Sequence, residues 1–106
     1  MHGLHQDTLD EIIRRIVAVA EPEKIILFGS AAHGETSRHS DVDLLIVKDG
    51  AHRRRLATSI YRSLRGVDAA VDVIVVTPDD VKRYGDSHAL IIKPALNEGK
   101  IVYEAA

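Results

Sequence analysis

Apolar and polar positions alternate along the chain with two distinct periods. Over residues 7–20, Leu9, Ile12, Ile13, Ile16 and Val17 recur at helical spacing, while Asp10, Glu11, Arg14 and Arg15 fill the other face. The pattern predicts an amphipathic helix, with Asp7 as its cap and Pro22 as its stop. Residues 24–28, KIILF, form a short apolar run that Gly29 and Ser30 interrupt. The run is too short for a helix and reads as a buried strand. The stretch SAAHGETSRHS is small and polar, a loop with at most one helical turn at Ala31 and Ala32.

Residues 42–47, VDLLIV, read as a second strand, followed by the turn signal Lys48-Asp49-Gly50. Residues 52–65 read as a helix, with Leu56, Ile60 and Leu64 four apart and Gly66 at its end. Residues 70–76, AVDVIVV, are a valine-rich third strand. Thr77 and Pro78 form a cap and first position for a short helix with Asp79 and Asp80 in its first turn. A further helix is expected over 87–97, despite Pro94, and a last strand at 101–103. The helix between strands 42–47 and 70–76 allows those two to run parallel. The expectation is one α/β (α+β) domain over residues 1–106, a small mixed sheet flanked by helices.

Composition narrows the function classes. A chain of 106 residues supports one modest core. The net charge is -2, from 14 basic and 16 acidic residues, so a dedicated duplex binder is not expected and nucleic acid is not the anticipated partner. With no cysteine, disulfide and thiolate chemistry are excluded. The first residues show no apolar signal-peptide core, and no run reaches membrane-spanning length. A cytoplasmic location is the expectation.

The candidate chemistry lies in carboxylates at strand ends. Asp41 and Asp43 are two apart at the head of a strand, so period-2 alternation places both on one face, while Val42, Leu44 and Ile46 face a core. Two neighbouring carboxylates repel, and a hard divalent cation such as Mg²⁺ compensates them well. Asp72 interrupts the apolar strand 70–76 and reaches the same place if the two strands are neighbours. Three carboxylates could then hold one or two metal ions. Gly29-Ser30 lets backbone amides and a hydroxyl approach phosphate oxygens. Neither GxxxxGK[ST] nor GxGxxG occurs. Singly, each of these features has an ordinary explanation as a turn, a cap or a solvated charge. Their placement within one small sheet is what favours a site.

Other residues are read more plainly. His2, His5, His39, His52 and His88 lack zinc-site spacing and are taken as surface histidines. Arg53-Arg54-Arg55 is taken as a solvated helix face, and Tyr61, Tyr84 and Tyr103 as packing at the core edge. Ser59 and Ser87 have no accompanying acid-base arrangement in the sequence.

Gly29-Ser30, ten residues, then Asp41-Val42-Asp43 resembles the signature of the DNA polymerase beta-like nucleotidyltransferase superfamily. The fuller stretch FGSAAHGETSRHSDVDLLIV is similar to the minimal nucleotidyltransferases, many of them antitoxins encoded beside a HEPN-domain toxin. The resemblance extends over nearly the whole chain. It implies that Asp41 and Asp43 bind Mg²⁺, that Asp72 completes the site and helps deprotonate an acceptor hydroxyl, and that Gly29 and Ser30 contact a nucleoside triphosphate. It further implies transfer of AMP from ATP to a tyrosine of a HEPN toxin. One departure is His33, where such proteins usually carry arginine, so a phosphate-neighbouring cation becomes one that depends on protonation. Two alternatives stay open: an antitoxin that neutralises its partner by occlusion alone, and nucleotidylation of a small molecule or nucleic acid. A homo-oligomer is compatible with each.

Overall fold

The computed structural model describes residues 6–28, 41–50, 52–67, 69–84 and 99–105. Three helices and four strands occur there: α1 (Gln6–Ala20), β1 (Lys24–Phe28), β2 (Asp41–Val47), α2 (Arg53–Ser63), β3 (Ala70–Val76), α3 (Pro78–Tyr84) and β4 (Lys100–Glu104). The strands form one sheet in the order β3-β2-β1-β4. β1 is antiparallel to both β2 and β4, and β2 is parallel to β3 through the α2 crossover. This is the expected mixed sheet. The helix expected over 87–97 lies outside the described residues.

The two-residue alternation of the strands separates the sheet into two faces. On one face Ile25, Leu27, Val42, Leu44, Ile46, Val73 and Val75 pack with Leu9, Ile12, Ile16 and Ala20 of α1 and with Ile60 and Leu64 from the α2 segment. Val42, Leu44 and Ile46 thus face a core, as their spacing requires. On the other face a smaller cluster joins Ile26, Leu45, Val47 and Val76, with Phe28, Ile74 and Val81 against it.

Several ends differ from the sequence expectation. α1 starts at Gln6, so Asp7 lies within its first turn rather than capping it. There its charge still complements the helix dipole. Glu21, the residue after α1, adopts φ 46° and donates its N–H to the Val17 carbonyl at 3.0 Å. That is a left-handed cap usually given to glycine. Buried Pro22 follows and prevents continuation. The Lys48 ammonium donates to the Glu21 carbonyl at 2.9 Å.

α2 begins after His52, whose Nδ1 accepts the Arg55 N–H at 3.3 Å. The exposed histidine therefore has a structural task, as the helix cap. The helix runs to Ser63, and Gly66 provides the positive-φ turn (87°) beyond it. α3 opens with a reciprocal capping pair. Thr77 Oγ1 accepts the Asp80 N–H, and Asp80 Oδ2 accepts the Thr77 N–H, each at 3.0 Å.

Arg15, assigned by periodicity to the polar face, has a specific partner. Its guanidinium donates to the carbonyls of Ser63 (3.1 Å) and Arg65 (2.7 Å) at the end of α2, and its Nε to Glu11 at 2.7 Å. A cation at this helix terminus satisfies carbonyls that have no partner in the next turn.

Candidate active site

The parallel ladder between β2 and β3 sets the geometry of the aspartates. Its register pairs Asp43 directly with Asp72, and Asp41 with Ala70. Neighbouring strands lie about 4.8 Å apart, so the two paired carboxylate-bearing residues are immediate neighbours. Asp43 belongs to the alternating set that includes Leu45 and Val47, and Asp72 to the set that includes Ile74 and Val76. Both therefore sit on the face away from α1 and α2. Asp43 is half-buried and Asp72 exposed. Across the sheet on the β1 side, Phe28 is the register partner of Asp43.

The site lies at one end of the sheet. It gathers the head of β2, the head of β3 and the tail of β1, where the chain passes into Gly29. Gly29, Ser30 and His33 lie outside the described residues. The backbone of Asp41 opens β2, two positions before Asp43, whereas its side chain lies outside the description.

Two neighbouring carboxylates suit a divalent cation. Oxygen donors are the preferred ligands of Mg²⁺, and a cation removes the repulsion that would otherwise oppose the pair. Among the described residues no cluster of three His, Cys, Asp or Glu side chains is positioned to hold a metal ion. The chemistry of Asp43 and Asp72 is compatible with a cation shared between them.

Two contacts, one beside this region and one far from it, were not readable from the sequence. The Val73 N–H, next to Asp72, donates to the Tyr61 hydroxyl at 2.8 Å. At the opposite end of the sheet, Arg53 pairs with Asp80 at 3.2 Å and ties the start of α2 to that of α3. Neither has a local pattern: the first spans 12 residues and the second 27.

The model of the family Polymerase beta, Nucleotidyltransferase matches residues 10–106. The chain belongs to this nucleotidyltransferase family. Solved structures share the fold at low identity. A toxin-antitoxin complex with AMP-PNP contains a chain that matches with TM-score 0.57 and 21% identity, over 96% of this chain and 75% of that one. A proposed nucleotidyltransferase from Sulfolobus solfataricus matches with TM-score 0.51 and 20% identity, over 95% and 90%. A mutant of the toxin-antitoxin MntA-HpeT matches with TM-score 0.56 and 19% identity, over 96% and 75%. No curated protein matches the chain. Among the described residues, no helix is long and apolar enough to cross a membrane.

Proposed function

We propose that this protein is a Mg²⁺-dependent nucleotidyltransferase that moves AMP from ATP to a tyrosine hydroxyl of a HEPN-domain toxin, and so acts as its antitoxin. The observation that carries the metal-dependent part is the register pairing of Asp43 with Asp72 in a chain of the nucleotidyltransferase family. The toxin partner is supported by the fold shared with chains solved in toxin-antitoxin complexes, one of them with AMP-PNP.

In this reading Asp41, Asp43 and Asp72 hold the cation, and Gly29 and Ser30 hold the triphosphate with backbone amides and a hydroxyl. His33 stands near the phosphates in place of the usual arginine. Bound Mg²⁺ supplies positive charge that offsets the phosphate oxygens. Asp72, at the exposed edge of the pair, accepts the proton of the incoming hydroxyl. The acceptor oxygen bonds to the α-phosphorus, the bond from that phosphorus to the bridging oxygen breaks, and pyrophosphate leaves. In this reading the partner's own surface positions the acceptor. The reaction takes place in the cytoplasm.

The test uses ATP labelled on the α-phosphate, Mg²⁺ and the co-expressed product of the adjacent gene. Label is expected on the partner, and its loss in Asp41→Asn and Asp43→Asn variants that still bind. If the wild type binds and silences its partner yet transfers nothing from any ribonucleoside triphosphate, neutralisation by occlusion replaces this proposal. Label appearing on a small molecule or nucleic acid instead would redirect the acceptor assignment.

A further inference from the structure

In the described sheet β3 is an edge strand, with β2 along one side. Along an edge strand every second residue turns its N–H and carbonyl away from the ladder. At Val73 a side chain meets these groups. The Val73 N–H donates to Tyr61 Oη at 2.8 Å, and the same hydroxyl lies 3.5 Å from the Val73 carbonyl oxygen. The shorter contact is a sound hydrogen bond, and the longer one is at the limit. The Tyr61 side chain comes from α2 and remains 44% exposed. A phenylalanine would cover much the same apolar surface, so the hydroxyl is what distinguishes tyrosine here.

The position of this bond matters because of its neighbour. Asp72 immediately precedes Val73, is the third residue of β3, and is the register partner of Asp43. Asp72 directs its own backbone toward β2, because consecutive residues of a strand alternate. Fraying of the start of β3 would carry Asp72 away from Asp43, and repulsion between the carboxylates favours that separation. The Tyr61 bond at Val73 opposes it from the side of the strand away from β2.

We propose that Tyr61 is a positioning residue that holds Asp72 opposite Asp43, so that the pair is set for a divalent cation before the cation arrives. The proposal rests on the nucleotidyltransferase reading above. Tyr61 touches neither nucleotide nor metal, and acts through the backbone of Val73.

The test is Tyr61→Phe in the full chain, well below its melting temperature, with Mn²⁺ as the probe. Two measurements do not depend on activity: hydrogen exchange of the Val73 amide, and Mn²⁺-induced broadening of the Asp43 and Asp72 amide resonances. Loss of one hydrogen bond predicts Val73 exchange about fivefold faster and a Mn²⁺ midpoint about fivefold higher. In the transfer assay the Mg²⁺ concentration for half-maximal rate should rise by the same factor, with the KM for nucleotide unchanged. A Tyr61 that only covers the core would lower the melting temperature and leave the Mn²⁺ midpoint within twofold of wild type, which overturns the proposal. A wild type that shows neither transfer nor Mn²⁺ broadening at Asp43 and Asp72 overturns the nucleotidyltransferase reading, and this proposal with it. Normal wild-type broadening with an indifferent Tyr61→Phe variant overturns this proposal alone.

Discussion

Replacing Arg15 with alanine should destabilise the fold more than any ordinary surface change, because one side chain joins α1 to the end of α2. The guanidinium donates to two main-chain carbonyls, at 3.1 and 2.7 Å, and is aligned by Glu11 at 2.7 Å. A hydrogen bond from a charged donor contributes about 1.5–3 kcal/mol when protected from water. The side chain is 34% exposed, so water replaces part of each lost bond. A cost of about 2 kcal/mol in total is then expected. For a domain of this size that corresponds to a fall in melting temperature of roughly 8–12 °C. Arg15→Lys keeps the charge but loses the planar fork, so about half of the loss should return. Glu11→Ala leaves the carbonyl contacts in place and should cost less than about 1 kcal/mol. Urea unfolding followed by circular dichroism measures all three variants, with an unchanged slope showing that the unfolded state is comparable. An Arg15→Ala variant within about 0.5 kcal/mol of wild type would refute the reasoning, since that is the range of a featureless surface site.

Four further outcomes are expected. Mg²⁺ at a hundred times its dissociation constant should stabilise the wild type by about 2.7 kcal/mol, and Asp43→Asn or Asp72→Asn should abolish most of that increment in a thermal-shift titration. In metal-free buffer Asp72→Asn should be no less stable than wild type, because it removes one of two neighbouring like charges; a large loss would show that Asp72 has another structural role. Glu21→Gly should raise stability by about 0.5–1 kcal/mol in chemical denaturation, since it relieves a left-handed residue and an acidic charge at the negative end of α1; a loss would mean that the Glu21 side chain has a compensating contact. Thr77→Ala should cost about 1 kcal/mol through the broken capping pair at the start of α3, and Thr77→Ser should recover most of it in the same assay.

The elements that repeat a short local pattern were legible from the chain itself. The 3.6-residue recurrence of Leu9, Ile12 and Ile16 specifies a helix with one buried stripe, and all three are buried. The alternation of Val42, Leu44 and Ile46 with Asp43 and Leu45 assigns each residue to a face, and a slip of one position would bury the charge. Thr77-Pro78 followed by Asp80 carries its own helix start. Spacing on one strand could relate Asp41 to Asp43 for the same reason: both lie on a single pleated segment.

Relations between segments were decided only by the tertiary structure. That Asp72 falls opposite Asp43, rather than one residue to either side, follows from the parallel register, which the packing of Val73, Leu44 and Ile60 in one core settles. The partners of Arg15 lie 48 and 50 residues along the chain, and those of Tyr61 lie 12, with no periodicity to announce them. His52 gave no signal as a cap, since histidine is not among the favoured capping residues. A hydrogen bond of this kind depends on where two rigid elements come to rest, and that is set by the whole core at once. Local patterns thus assigned the carboxylates to strands and faces, whereas the assembled sheet alone placed two of them side by side.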